Sequence, residues 1–375
     1  MIQSIGIIGG GQLGRMLALD AKRMGYHVIV LDPTPHSPCG QVADEQIVAQ
    51  YDDLAAIDDL GKRTDVVTYE FENIAIESVI HLEKCGYKVT PSSEVLRITQ
   101  NRLLEKAFVR QCGIPVADFA AIRTVDDIAV AATAIGFPAI LKTVRGGYDG
   151  KGQWRVDDEA SARAALAQAN GQELIFERCI PFTKELSVIC TRSAVNEIVC
   201  YPVGENMHDR GILSVTIAPA RIDSRIAEQA KSIGRRIAEK LEIVGTLCVE
   251  LFLTAKDELL VNEIAPRPHN SGHYTIDATL CSQYEQHVRA ICSLPLSPPR
   301  LLVNAVMMNI LGAGTGDRLV GVEQLLTDPS IVLHMYGKKH AVARRKMGHL
   351  TMLADSDLDR VLERAQAAHQ LLRWV

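Results

Sequence analysis

The stretch LLVNEIAPRPHNSGH over residues 259–273 gathers residue types that handle anions. An apolar, β-prone run ends in Asn262 and Glu263, and a Pro-containing loop then delivers Arg267, His269, Asn270, Ser271 and His273. The preceding apolar run, GTLCVEL, carries Glu250 near its end. Carboxylates ending two adjacent strands are hard oxygen donors that suit Mg²⁺, which takes a carboxylate or two together with phosphate oxygens and water. The guanidinium and imidazoles beyond them suit a second, anionic reactant. A Mg²⁺-nucleotide meeting an anionic substrate is the chemistry this constellation predicts. Glu250 taken alone reads as exposed charge at a strand edge.

Three further segments could serve the same chemistry. Lys142 sits in an otherwise apolar strand over 138–144, and a buried ammonium needs an anionic partner. The segment that follows, Gly146, Gly147, Tyr148, Asp149, Gly150, Lys151, Gly152 and Gln153, turns backbone N–H groups and a point charge toward a phosphate. It lacks the GxxxxGK[ST] spacing of a P-loop, so a different nucleotide fold is implied. The plain alternative is a long hairpin turn. Glu177 and Glu185 flank RCIPFTK, where an acid ending a strand could hold an adenine amine or a ribose hydroxyl. The segment YGKKHAVARRKMGH reads either as a solvated face or as a patch for a phosphorylated substrate in an otherwise acidic chain.

Gly9, Gly11 and Gly14 form GxGxxG between a strand and a helix, and Asp32 ends the next strand, as in a dinucleotide fingerprint. That reading supports an NAD(P)-dependent oxidoreductase. It leaves the second glycine loop and the Asn-Glu pair without a role. A sugar phosphate at the helix N-terminus fits equally, and glycines serving close strand–helix packing fit as well.

The elements that must position these residues follow from periodicity. Strand patterns over 5–8, 27–31, 65–69 and 87–89 alternate with helical patterns over 12–24 and 76–84, which predicts a parallel sheet covered by helices. After about residue 101 the texture changes. Helices are expected over 102–111, 126–134, 159–169 and 224–241, and strands or apolar runs over 174–177, 185–191, 197–202 and 212–218. A Pro-rich hinge, CSLPLSPPR, precedes a small third unit that ends in a helix over 357–372.

Bulk properties narrow the class. At 375 residues the chain is long enough for two or three domains. A net charge of −5 offers no general footprint for nucleic acid or an anionic membrane. The N-terminal MIQSIGIIGGGQLG lacks the features of a signal peptide, and no apolar run approaches the ~18 residues of a membrane span. Nine scattered cysteines without a CxxC pair fit reduced thiols in the cytoplasm and suggest no zinc site.

In order along the chain, GIIGGGQLGRM, DVVTYEFEN, ILKTVRGGYDGKGQ, FERCIPFTKELSV, ENMHDRGI, NEIAPRPHNSGHYT and YGK…RRKMGH resemble the ATP-grasp carboxylate–amine ligases over the full length. The pairing of YDGKGQ with NEIAPRPHNSGHYT is highly specific. The resemblance implies an α/β and α+β chain with an ATP-grasp fold. Its parts would be a Rossmann-like domain over 1–100, an ATP-grasp domain over 101–300 with a lid near 115–180, and a small domain over 301–375. It implies ATP contacts at Arg102, Lys142, Gly147, Tyr148, Asp149, Gly150, Lys151, Gly152, Gln153, Glu177, Arg178, Cys179, Ile180, Glu185, His208, Asn262 and Glu263. Mg²⁺ would rest on Glu250 and Glu263. Within the family the closest likeness is to members that carboxylate aminoimidazole ribonucleotide with bicarbonate, through carboxyphosphate, in purine biosynthesis. Glu70, Tyr148, Arg267, Ser271, His273, Lys338 and Arg345 would meet that ribonucleotide, with Arg267, His273, Tyr148 and Lys142 carrying the catalysis. A homodimer is implied too. Arg344 stands where the family has glycine. Rivals are an ATP-grasp ligase with another acceptor and a nucleotide-binding scaffold without chemistry.

Overall fold

The computed structural model describes residues 2–147 and 150–375. The first unit is a four-stranded parallel sheet in the order Glu45–Ile47, His27–Leu31, Ser4–Ile8, Val66–Tyr69. Its inner strands are apolar along most of their length because helices cover both faces. Helix Gln12–Arg23 packs Leu13, Met16 and Leu17 against Ile5, Ile7, Val28 and Val30. On the other face, Ile57 and Leu60 of Leu54–Arg63 and Val79 and Leu82 of Ile76–Lys84 meet Ile8, Ile29, Leu31 and Val67. The strand expected over 87–89 is reduced to a single parallel bridge from Val89 to Val67; the Thr90 N–H still donates to the Val67 carbonyl, but Pro91 comes next and cannot donate to a ladder.

A second sheet is antiparallel and runs Phe119–Ile122, Leu174–Arg178, Ala139–Thr143, Gln153–Val156. Helices Val125–Ile135 and Glu159–Gln168 cover it and supply Ile128, Ala131, Ala162 and Ala165 to its core. Lys142 pairs with Gln153, so the glycine-rich segment joins two hairpin strands while remaining on the rim of a cavity. The hairpin and the ligand-facing readings are therefore compatible.

The largest sheet has nine strands. Leu259–Ala265, Gly245–Thr254, Phe182–Arg192, Gly204–Asp209 and Ile212–Ala218 pair in turn, all antiparallel. Helix Ser224–Lys240 lays Ile226, Ala230 and Ile237 on Leu186, Val188 and Val249. Ala305–Leu311 then adds to Ile212–Ala218, and Lys346–Leu353 and Ile331–Met335 follow it. These three strands beyond residue 301 thus extend a sheet that would otherwise end in an exposed edge, while Leu319–Val320 and Arg373–Trp374 pair in a small antiparallel sheet of their own.

Helix Gln283–Ile291 locks the first unit to the large sheet. Its Tyr284, Val288 and Ile291 join the core under helix Gln12–Arg23. His287 is fully buried between the two sheets. Its Nδ1 accepts from the Thr246 N–H at 3.0 Å, which leaves the proton on Nε2 to donate to Thr68 Oγ1 at 3.0 Å. Burial depresses this imidazole to about 3, so the link stays neutral. Among the described residues no helix is long and apolar enough to cross a membrane.

Candidate active site

The three sheets surround a cavity of about 790 Å³. Glu250 and Glu263 stand on its wall as direct partners across the antiparallel ladder of Gly245–Thr254 and Leu259–Ala265. They are mid-ladder residues rather than strand ends. From Glu250 onward the strand alternates, turning Glu250 and Phe252 to the cavity and burying Leu251 and Leu253. Like charges directly opposite each other destabilise a sheet unless a cation lies between them. Burial pushes the Glu250 carboxyl up to about 7, with His208 opposing the rise and Glu263 adding to it. The imidazole beside it, His269 Nε2 at 3.3 Å, is itself held neutral by burial. Burial also works against ionised Glu263, but Arg102 outweighs it, donating from Nη1 to Oε2 at 2.9 Å and holding that carboxyl below its ordinary value. Two hard carboxylates with a deficit of positive charge between them fit Mg²⁺.

Behind this pair lies a buried charge network. Lys142 Nζ donates to Glu177 Oε2 at 2.9 Å and to Asn262 Oδ1 at 3.4 Å, and Lys106 Nζ lies 3.7 Å from Glu177 Oε1. The anion that Lys142 requires is therefore a carboxylate of the protein, and a phosphate would share that lysine with it. Burial opposes the Glu177 charge, yet Lys106 and Lys142 bring its carboxyl down to about 2. Glu105 runs the other way: burial, then repulsion from Glu263, lifts it to about 8, while its Oε2 accepts from the Ile264 N–H at 3.0 Å. Lys106 and Glu105 were not singled out in the sequence. Their signal is a charge pair on the inward face of an amphipathic helix, Arg102–Gln111.

Elsewhere on the wall, Ala117, Ile140, Ile180, Phe182 and Phe252 give an apolar flank next to the strand end carrying Glu177 and Arg178, with Cys179 following. Phe182 and Phe252 stack with centroids 4.7 Å apart. Such a flank suits a planar base. Gly147, Gly150, Lys151, Gly152 and Gln153 form its rim, and Gly147 is tied down through its carbonyl by Arg102 at 3.1 Å. Tyr148 and Asp149 lie outside the described residues. Glu185 also lines the cavity and accepts from His208 Nδ1 at 2.7 Å, which raises the imidazole against the effect of burial.

The far end belongs to the first unit and the 267–270 loop. Arg267 uses Nε and Nη2 for a two-point ion pair with Glu72, at 2.5 and 3.0 Å. The glycine turn beside it is already occupied. Glu70 accepts from the Gly11 N–H at 2.5 Å and the Gly14 N–H at 2.7 Å, while Asp32 accepts from the Gly10 N–H at 2.7 Å and from Tyr51 at 2.6 Å. A Cβ on Gly11 would come within 2.4 Å of Glu70 Oε1, and one on Gly14 within 2.8 Å of the Gly9 carbonyl. Close packing explains these glycines. The dinucleotide reading fails because the donors and the ribose-binding acid have been spent on each other. Burial raises the Glu70 carboxyl despite its two N–H donors.

Four expected substrate residues stand off the cavity wall. Ser271 and His273 are fully buried behind His269 and Asn270. His273 Nδ1 bonds the Tyr284 hydroxyl at 3.0 Å, its ring lies 4.7 Å from that of His349, and burial holds it neutral. Lys338 donates to the Lys346 carbonyl at 2.6 Å, and Arg345 is exposed. Of the basic segment, Lys346 is the residue that reaches the wall. Gln12, Glu72 and Asn73 also line it and were not assigned a role from the sequence, and His269, read there as part of the anion-handling loop, lines it too. Arg344 adopts φ +65°, the left-handed backbone a glycine would take, and donates to the Arg210 carbonyl at 3.0 Å, so the chain path survives the substitution.

Three known family models match consecutive parts of the chain. They are a ribonucleotide synthetase preATP-grasp domain over residues 2–100, an ATP-grasp domain over 107–284 and a phosphoribosylaminoimidazole carboxylase C-terminal domain over 305–364. Fold and cavity thus define an ATP-grasp enzyme. An N5-carboxyaminoimidazole ribonucleotide synthase of Bacillus subtilis (strain 168) is 46% identical over 353 residues, covering 93% of this chain and 91% of the relative. The N5-carboxyaminoimidazole synthetase of Staphylococcus aureus complexed with ADP superposes with a TM-score of 0.91 at 39% identity, over 98% of this chain and 97% of that one. The Aspergillus clavatus N5-carboxyaminoimidazole synthase in complex with ADP and aminoimidazole ribonucleotide gives 0.91 at 30% identity, over 98% and 99%. The chain belongs to the N5-carboxyaminoimidazole ribonucleotide synthase family, ATP-dependent ligases that form a carbon–nitrogen bond.

Proposed function

We propose that the chain couples ATP cleavage to carboxylation of the amino group of 5-aminoimidazole ribonucleotide by bicarbonate, a step of purine biosynthesis. The observation that carries this reading is the opposed pair Glu250 and Glu263 in one cavity with Arg102, Lys142 and Arg267. A bicarbonate oxygen attacks the γ-phosphorus of ATP, ADP leaves, and carboxyphosphate results. The amine nitrogen then attacks the carboxyl carbon, directly or after CO₂ is released from carboxyphosphate, and phosphate departs while the nitrogen gives up a proton. Such transfers depend on positioning and charge neutralisation more than on a protein nucleophile.

In this assignment Arg102, Lys142 and the backbone N–H groups over 150–153 hold the triphosphate, and the apolar flank holds the base. Mg²⁺ would be held by Glu250 and Glu263, where it neutralises phosphate oxygens when bound. Arg267, preset by Glu72, offers its remaining Nη donors to bicarbonate and to the oxygens of carboxyphosphate. Lys346 on the wall faces the ribonucleotide's phosphate, and Lys338 and Arg345, off the wall, add positive charge nearby. His273 orients the wall from behind, since its ring stays neutral and off the surface. The rim over 146–153 closes to keep water from the mixed anhydride. The three units over 1–100, 101–300 and 301–375 act together at this cavity. A cytoplasmic homodimer is the assembly we assign, supported by the family resemblance and by cysteines that are all unpaired in the structure.

An ADP-release assay over a panel of acceptor amines tests the proposal. The expected result is release that requires both bicarbonate and aminoimidazole ribonucleotide. Equal release with another acceptor, or with none, overturns it.

A further inference from the structure

Away from the cavity, the outer face of the first unit brings together three side chains that sequence reading left apart. His81 lies in helix Ile76–Lys84 and Cys85 caps it, four residues on and so on the same face. Asp58 reaches across from the neighbouring helix Leu54–Arg63. His81 Nε2 lies 3.6 Å from Cys85 Sγ and 3.9 Å from Asp58 Oδ1, and one donor atom from each of the three falls within 4.8 Å of the others. A tetrahedral Zn²⁺ with bonds of about 2.0–2.3 Å sets its ligands roughly 3.3–3.8 Å apart. Two edges of that tetrahedron are nearly in place, and modest rotamer adjustment closes the third.

The surroundings orient the acid. Tyr87 donates to Asp58 Oδ1 at 3.2 Å, and Lys62 pairs with Oδ2 at 2.5 Å. Hydrogen bonds of this kind set the direction of a ligating carboxylate. Asp58 and His81 are half-buried and Cys85 is exposed, so an ion has an entry path. None of the three lines the cavity. The absence of a CxxC pair conceals such a site in the sequence, because its ligands come from two helices.

We propose that Asp58, His81 and Cys85 form a three-ligand site for Zn²⁺, with the fourth position open to water. A sulfur, nitrogen and oxygen set favours Zn²⁺ over the hard Mg²⁺ suited to Glu250 and Glu263. Cys85 binds as the thiolate, and its proton passes to solvent as the metal enters. The ion ties the two outer helices together without touching the reaction.

The test uses the full, metal-stripped chain with excess Mg²⁺ present, titrated with Zn²⁺ against a chromophoric chelator and separately with Co²⁺. One equivalent of Zn²⁺ should bind, and Co²⁺ should show a thiolate charge-transfer band. Cys85→Ser and His81→Gln should each weaken zinc binding at least tenfold and abolish the band, with ADP release by the zinc-free enzyme unchanged. Wild-type zinc affinity in both variants, or a Co²⁺ complex without the band, overturns the site. A variant that has lost ADP release counts as misfolded, and the decision then passes to protection of Cys85 from alkylation by Zn²⁺ in the wild-type chain, where absence of protection overturns the proposal.

Discussion

The cavity wall and the N-terminal glycine turn are built from the same materials, glycine-bordered backbone donors and carboxylates, yet they end in opposite electrostatic states. At the turn, Glu70 and Asp32 satisfy the N–H groups of Gly10, Gly11 and Gly14, so the local demand for an anion is met from within the chain. At the wall, Glu250 and Glu263 oppose each other and leave a demand for a cation. A motif marks where a ligand is geometrically admissible; the unmet charge marks where one binds.

Substitutions can break this contrast, and the largest effect is expected at the wall. Glu263→Gln should cut ADP release more than ~100-fold, because a metal ligand is lost and Arg102 is left without its anion. Steady-state turnover within a few-fold of wild type would sink the metal assignment. Arg267→Ala should lower kcat/KM for the ribonucleotide by about 100-fold while the KM for ATP changes little, a removed charged contact costing ~3 kcal/mol. Equal losses on both substrates would make Arg267 structural.

At the turn the same logic predicts a stability effect instead. Gly11→Ala places a Cβ 2.4 Å from Glu70 Oε1 and should destabilise the fold by about 1–3 kcal/mol, seen as a lower Tm. Protection of the wild-type chain by NADH, but not by Mg-ATP, would reverse the comparison altogether. Within the basic segment, Lys346→Ala should raise the KM for the ribonucleotide about tenfold and Arg345→Ala by less, since Lys346 alone of the two lines the cavity. The reverse order, measured by initial rates, would place the substrate outside the cavity described.

The smallest effect is in pH. Glu250 is raised to about 7 from an ordinary 4.5, so below pH 7 the metal must displace a proton. The Mg²⁺ concentration needed for half-activation should rise several-fold between pH 8 and 6. The linked stability has the opposite sense. A raised carboxyl favours the metal-free fold fully below about pH 4.5, and that contribution is lost as pH climbs through 7. Excess Mg²⁺ should abolish that decline, and a flat Mg²⁺ requirement across the range would remove Glu250 from the metal site.

Much of the site was legible because its residues lie in contiguous stretches. Asn262, Glu263 and Arg267 fall within one strand and loop, and the 146–153 segment follows Lys142 directly. The elements that carry them follow from period alone, as with His27–Leu31, Ile76–Lys84 and Ile212–Ala218, whose observed bounds coincide with the expected ones. Legibility fails where partners are distant. Nothing near Lys142 announces that Glu177, thirty-five residues on, is its counter-ion, or that Lys106 shares it. In the basic segment, composition treats Lys338, Arg345 and Lys346 alike. Only the start of strand Lys346–Leu353 separates the side chain at the wall from the two that are not.

By itself, then, the order of residues determined many of the elements, the parallel first sheet and the family, since these depend on local period and on short runs of matched chemistry. The tertiary structure decided which charges are already neutralised. That outcome depends on carboxylates and cations brought together across three sheets, and burial makes each such pairing, or its absence, cost several kcal/mol.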